Sequence, residues 1–335
     1  MQSREVVNAL RQLAGEAGVL DWEQFTRAAL YAPGWGYYRQ ARRRVGHGRG
    51  TDFYTAASLG PLFHRLMAEA LRTLVGSAGS ARALNVVELG AEPEQAVADC
   101  WGRFASFRQA RLGAPIEPTG TGEDWALFGN EVLDAQPFRR FRVDGGFWRE
   151  LGVAVSADGI LSEVTLTTTS EAGQAQIPSL PSASTLANGT TLDLALEAER
   201  LVGALAARPG LQLLAFLDYG KTLAELLDTS PQGTARAYYQ HTLEADLLAR
   251  PGAQDLTCHV CWDRLETVLR EAGWALVQVQ RQESFFVTHA QAVLAEVIER
   301  APAAFDAQRQ ALQAMLSPGH LGAKFQVLWA RRSTA

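Results

Sequence analysis

Hydrophobic positions along the chain recur with two different periods. From residue 4 to 30, Val6, Leu10 and Leu13 recur at three- and four-residue intervals, with Val19 and Leu20 following, and this predicts helix. Asp21 is placed to cap a second helix over 22–30. Tyr31-Ala-Pro-Gly-Trp-Gly-Tyr-Tyr38 mixes aromatics with turn formers and predicts an irregular segment. Leu59, Leu62, Phe63, Leu66, Met67, Ala70, Leu71 and Leu74 restore helical spacing over 58–75. Residues 84–89, Leu-Asn-Val-Val-Glu-Leu, are apolar at almost every position and stop at Gly90, as in a strand covered on both faces. Residues 125–129 and 211–217 read the same way, and 104–112 predict a further strand. Residues 138–167 alternate with period two around Asp144-Gly145 and Asp158-Gly159, predicting a three-stranded antiparallel insert. Helices are predicted over 93–102, 193–207, 262–272, 289–300 and 303–316, and strands over 274–280 and 325–330. Loops are predicted over 113–124 and 170–190.

Strands alternating with helices predict an α/β fold with a mostly parallel sheet. No internal repeat is visible. The pattern divides into an N-terminal helical region over 1–80 and a core over 81–335 that carries the insert at about 138–168. In such sheets ligands bind outside the carboxyl ends of strands. Three predicted strands end in polar or glycine residues: Glu88-Leu89-Gly90, Asn130-Glu131 and Asp218-Tyr219-Gly220. A strand that ends in glycine and opens a helix lets backbone N–H groups face a ligand.

Composition narrows the classes. The chain has 335 residues, 47% apolar and 20% charged, which is ordinary for a globular protein of one large or two modest domains. Its net charge of -5 argues against a dedicated nucleic-acid binder. Of 31 basic residues only Lys221 and Lys324 are lysine, so arginine is the default cation of this sequence and its abundance implies no phosphate site. Gly46, Gly48 and Gly50 have no strand before them and no Lys-Ser/Thr after them, so a Walker loop is unsupported. The N-terminus lacks the apolar core of a signal peptide, and no apolar run approaches the ~20 residues needed to span a bilayer. The expectation is a soluble cytoplasmic protein without a membrane partner. Cys258 and Cys261 form a C-x-x-C with no second ligand pair nearby. The expected role is two small, partly buried thiols and no metal site, with redox or metal chemistry the weaker alternative.

Several stretches, taken together, resemble the MidA family of S-adenosylmethionine-dependent methyltransferases, which includes the mitochondrial complex I assembly arginine methyltransferase. They are Leu30-Tyr31-Ala-Pro-Gly-Trp-Gly36-Tyr37-Tyr38, Asp52-Phe53-Tyr54-Thr55 with Pro61-Leu62-Phe63, Gly129-Asn130-Glu131-Val-Leu-Asp134-Ala135-Gln-Pro137, Leu217-Asp218-Tyr219-Gly220, and Gly233-Thr234-Ala-Arg236 through His241 with Pro251-Gly252 through Trp262. They span nearly the whole chain in the family's order. The resemblance implies a class I methyltransferase fold with extra helices and an antiparallel insert. It implies S-adenosylmethionine as cofactor, held near Glu88, Gly90 and Asn130. It places Asn130, Glu131 and Asp52 in the catalytic role, Tyr37, Tyr38 and Thr55 along the substrate channel, and Asp134 as a brace for its loop. The implied substrate is protein arginine.

Three features depart from that pattern. Where the family has Glu-x-Gly-x-Gly-x-Gly, this chain has Glu88-Leu-Gly90-Ala-Glu92-Pro-Glu94, and side chains there oppose close backbone approach. Between the first strand and the Asn-Glu strand lie only residues 91–124, where two strands and three crossovers call for roughly 40 residues. At least one β-α unit is therefore expected to be missing. No Asp or Glu lies between Asp99 and Glu117 to hold ribose hydroxyls at the end of 104–112. Thr51 and Ala56-Ala57 also replace usual family residues. The alternative reading is a catalytically degenerate member that serves as a protein-binding or assembly factor.

Overall fold

The computed structural model describes residues 4–40, 61–76, 83–91, 99–111, 124–300, 307–317 and 324–332. The chain forms two compact units, both discontinuous in sequence. The first takes residues 1–42, 134–200 and 221–263, and the second 43–133, 201–220 and 264–335.

The second unit is built on a six-stranded sheet. Its spatial order is Leu276–Arg281, Gln326–Arg331, Leu211–Asp218, Trp125–Asn130, Asn85–Leu89 and Ser106–Ala110. The last four of these run parallel, with Glu88 lying between Phe128 and Gln109 in register. Gln326–Arg331 runs antiparallel to both of its neighbours. The apolar runs arise because both faces are covered. One cluster joins Val86, Phe128, Ala215 and Trp329 of the sheet to Phe63 and Met67 of the helix Pro61–Val75 and to Phe285 and Phe286 of the helix Gln282–His289. That last helix fills a stretch for which the sequence predicts no element. Among the described residues between Ala91 and Asp124, the only elements are the strand Ser106–Ala110 and a short 3-10 turn, Asp99–Arg103. Most of the predicted helix over 93–102 lies outside the described residues, as does nearly all of the loop over 113–124.

The first unit holds a five-stranded antiparallel sheet. Val19–Asp21, Phe147–Val155, Arg139–Asp144 and Thr191–Leu194 lie in that order, and Leu161–Thr165 pairs with Phe147–Val155. The three antiparallel strands predicted over 138–167 are Arg139–Asp144, Phe147–Val155 and Leu161–Thr165, and Val19–Asp21 and Thr191–Leu194 join their sheet from outside that range. Val19 and Leu20, read as helical, belong to an edge strand, because Gly18 at φ 63° ends the preceding turn and Val19 pairs with Ala154. The segment over 170–190, read as loop, contains the helix Glu171–Gln176, capped by Ser170. Asp21 caps the helix Trp22–Tyr31 as predicted: its side chain accepts from the Gln24 backbone N–H at 2.7 Å, and Gln24 Oε1 accepts from the Asp21 N–H at 3.0 Å. The same carboxylate joins a buried cluster in which Arg139 meets Asp21 at 3.2 Å, Glu23 at 2.9 Å and Glu150 at 2.5 Å. Burial alone would raise Glu23, but Arg200 and Arg139 hold it below the ordinary carboxylate range. A second, three-stranded ribbon orders Thr242–Glu244, Arg236–Tyr239 and Asp255–Thr257.

Candidate functional site at the strand ends

In the second unit, two adjacent parallel strands stop side by side, with Leu89 opposite Gly129. This brings Glu88, Gly90, Asn130 and Glu131 to one end of one sheet. Gly90 takes a left-handed φ of 84°, which turns the chain out of its strand. Its N–H and that of Ala91 both donate to the Ala110 carbonyl, at 2.7 and 3.1 Å.

Glu131 also takes a left-handed φ, 54°, which costs a residue with a Cβ roughly 1–2 kcal/mol. The turn is held from the neighbouring strand. The Glu131 N–H donates to the Leu217 carbonyl at 2.9 Å. Asp218, fully buried, accepts the N–H groups of Val132 and Leu133 on Oδ2 at 3.1 and 2.8 Å, and that of Tyr219 on Oδ1 at 2.9 Å. Asn130 Nδ2 donates to Glu131 Oε1 at 3.1 Å and fixes one carboxylate oxygen. Asn130 Oδ1 is buried and accepts nothing among the described residues, so it is a spare acceptor at the strand end.

Glu88 is engaged differently. It is 2% exposed, and both of its oxygens face protein groups. Gln109 Nε2 donates to Oε2 at 2.7 Å, and His64 Nε2 lies 3.4 Å from Oε1. His64 lies beside Trp101, whose indole stacks on Phe107 with centroids 4.3 Å apart and on Phe128 at 5.4 Å. Sequence reasoning missed both His64 and Gln109. His64 is hidden on the apolar side of a helix, and Gln109 becomes a neighbour only through strand register.

The residues expected along a substrate channel divide between undescribed positions and the first unit. Asp52 and Thr55 fall outside the described residues, as do Glu92 and Glu94. Tyr37, Tyr38 and Asp134 belong to the first unit. Tyr38 stacks on Tyr31 at 5.5 Å and meets Tyr37 edge-on at 5.0 Å. The Tyr38 hydroxyl donates to Asp255, 3.0 Å from Oδ1, and that of Tyr31 to the Ala135 carbonyl at 2.8 Å. Burial, then the Asp255 carboxylate, pushes both phenols well above their ordinary range, so both stay protonated at neutral pH. Asp134 is buried, and its carbonyl accepts the Cys258 N–H at 3.1 Å. Gly252 takes φ 81° against the Trp35 backbone. The segments 31–40 and 251–258, far apart in sequence, thus form one packed structure.

Among the described residues no group of three His, Cys, Asp or Glu side chains could hold a metal ion, and no helix is long and apolar enough to cross a membrane. Cys258 and Cys261 are buried free thiols.

Residues 114–280, about half of the chain, match a family model described as "Putative S-adenosyl-L-methionine-dependent methyltransferase". Over 234 residues the chain is 26% identical to the "Protein arginine methyltransferase NDUFAF7 homolog, mitochondrial" of Drosophila melanogaster, covering 68% of this chain and 51% of that protein. The chain thus spans about half the length of the curated relative it matches. A solved Burkholderia thailandensis structure, titled a "likely methyl transferase" and bound to S-adenosyl-homocysteine, aligns with a TM-score of 0.82 at 23% identity, covering 98% of this chain and 92% of that one. A native crystal structure from the same organism aligns with a TM-score of 0.77 at 23% identity, covering 98% and 91%. At these identities the two structures establish a shared fold.

Proposed function

We propose that this chain, which belongs to the MidA family of S-adenosylmethionine-dependent methyltransferases, binds that cofactor at the strand ends of its second unit and methylates arginine on a protein. The observation that carries the reading is the Asn130–Glu131 pair: a carboxylate in a left-handed turn, oriented by an amide whose own acceptor is spare.

Two features fit the cofactor. Gly90 turns at φ 84° where a backbone must pass close to a ligand, and Asn130 Oδ1 offers an acceptor to an ammonium or hydroxyl group. When bound, S-adenosylmethionine supplies a methyl group on a positively charged sulfur. The chain's own part is positional. Glu131 presents a planar carboxylate that matches the fork of a guanidinium, and Asn130 holds one of its oxygens in place. Holding an arginine nitrogen in line is worth more here than proton removal, because orientation alone supplies several kcal/mol of a transfer barrier. Glu88 supports the site from behind through Gln109 and His64.

The arginine substrate rests on the Drosophila relative and on this carboxylate. Calorimetry with S-adenosyl-homocysteine and a methylation assay on arginine peptides test the reading together. Micromolar binding is expected, and Glu131→Gln should keep it while lowering transfer roughly a hundredfold. Arginine methylation left intact by Glu131→Gln would refute the assignment.

One observation favours a second reading, a non-catalytic member that binds a protein partner. The strand Ser106–Ala110 is followed by exposed Arg111, and the sequence has no Asp or Glu between Asp99 and Glu117 to take ribose hydroxyls. A folded protein that fails to bind S-adenosyl-homocysteine would decide for that reading.

A further inference from the structure

Packing does not account for the histidine at position 64. On the helix Pro61–Val75, Met67, Ala68 and Leu71 share its face, three, four and seven positions further on, and all three are buried. His64 is 1% exposed and lies among the rings of Phe63, Trp101 and Phe107. Its Nδ1 is buried and has no hydrogen-bond partner among the described residues. A leucine or methionine would fill such a place without burying an unpaired ring nitrogen.

The other ring nitrogen supplies the reason. Nε2 lies 3.4 Å from Oε1 of the buried Glu88. In register Glu88 stands between Gln109 and Phe128, whose side chains share its face of the sheet. Phe128 offers no donor, and Gln109 Nε2 donates to Oε2 at 2.7 Å. Among the described residues His64 is the only side chain that serves Oε1, and the only basic group within ion-pair distance of the carboxylate. With Gln109 alone the carboxylate can turn about its last bond, and a second donor on the other oxygen fixes its plane. An ionised carboxylate only accepts, so the ring proton belongs on Nε2. Glu88 thereby joins the helix and two strands at the point where the Gly90 turn begins. One residue past Gln109, the Ala110 carbonyl accepts the N–H groups of Gly90 and Ala91.

We propose that His64 is a positioning residue for cofactor binding. Its Nε2–H locks the Glu88 carboxylate against Gln109, and this anchors the strand end that leads into the Gly90 turn. The role rests on the cofactor site proposed at the strand ends. It adds to that site a residue from outside the sheet.

The test measures S-adenosyl-homocysteine affinity of the full chain by calorimetry, beside the melting temperature. His64→Leu removes the donor, and affinity should fall about tenfold or more, as for the loss of one hydrogen bond to a charged acceptor. His64→Gln puts an amide N–H in place of Nε2–H and should restore affinity to within about threefold of wild type. A packing role predicts the reverse order, since leucine suits an apolar helix face better than glutamine. His64→Met repeats the removal with a more adaptable side chain if His64→Leu does not fold. A second readout needs no cofactor. Nitrogen-15 spectra should show the His64 ring protonated at Nε2, identified among the six histidines by its absence from the His64→Gln spectrum. An Nδ1–H ring, affinity unaltered by removal of the donor, or affinity not restored by His64→Gln would overturn the proposal. A wild-type chain that binds no S-adenosyl-homocysteine overturns the cofactor site and this role with it. Wild-type binding that does not respond to position 64 overturns this role alone.

Discussion

Asp218→Asn tests whether the turn carrying Glu131 is held from the neighbouring strand. The buried carboxylate accepts three backbone N–H groups, two on Oδ2 and one on Oδ1. Hydrogen bonds to a charged acceptor contribute about 1.5–3 kcal/mol each. An asparagine can keep its oxygen toward Val132 and Leu133, but its amide then faces the Tyr219 N–H. One bond is lost, two donors oppose each other, and the remaining two bonds lose their charge. The expected loss of stability is about 3 kcal/mol, and Asp218→Ala, which removes all three bonds, should lose more. The urea midpoint measures this, provided the m-value stays constant. The loss should also reach the site. With Val132 and Leu133 released, the left-handed Glu131 loses part of what offsets its strain, and affinity for S-adenosyl-homocysteine should fall about tenfold, some 1.4 kcal/mol. A loss below about 1 kcal/mol with the m-value unchanged would refute the argument, because a fully buried acceptor of three N–H groups cannot be that dispensable.

Two further outcomes follow from the first unit. Gly252→Ala places a Cβ 2.6 Å from the Trp35 carbonyl oxygen and 2.8 Å from its ring, at φ 81°, and should cost at least about 2 kcal/mol by thermal melting; a neutral effect would mean that the segments 31–40 and 251–258 are not packed as described. His259 is held near 4 when folded and returns to about 6.5 when unfolded, so the unfolded chain binds the extra proton between those values. Stability should therefore rise with pH across that window, with about 3 kcal/mol as the upper bound from this ring alone. His259→Gln should flatten that part of the pH–stability curve, and an unchanged slope would contradict the assignment.

What the sequence revealed follows from what each kind of element must do. Strands 85–89, 125–130 and 211–218 were legible because a parallel strand covered on both faces has to be apolar throughout. Val19–Asp21 and Thr191–Leu194 were not, since three or four residues cannot display an alternation before the chain turns. The reversed insertion of Gln326–Arg331 between two earlier strands was equally hidden, because an apolar strand carries no mark of its direction.

The site divides along the same line. Gly90, Asn130-Glu131 and Asp218 stood out because each interrupts an apolar run at the end where α/β sheets bind ligands. Their partners come from register, which the sequence does not show. By the family resemblance Glu88 is a cofactor contact. Read with Gln109 opposite it and His64 above it, both of its oxygens already have neighbours. Asn130 differs from it. The resemblance gives it a catalytic and a cofactor-binding role, and it retains a buried acceptor with no protein partner among the described residues. A buried acceptor left unpaired costs about 1–3 kcal/mol, and a ligand that donates to it recovers that amount on binding. At this sheet end the spare amide oxygen is therefore a stronger pointer to a ligand than the carboxylate beside it.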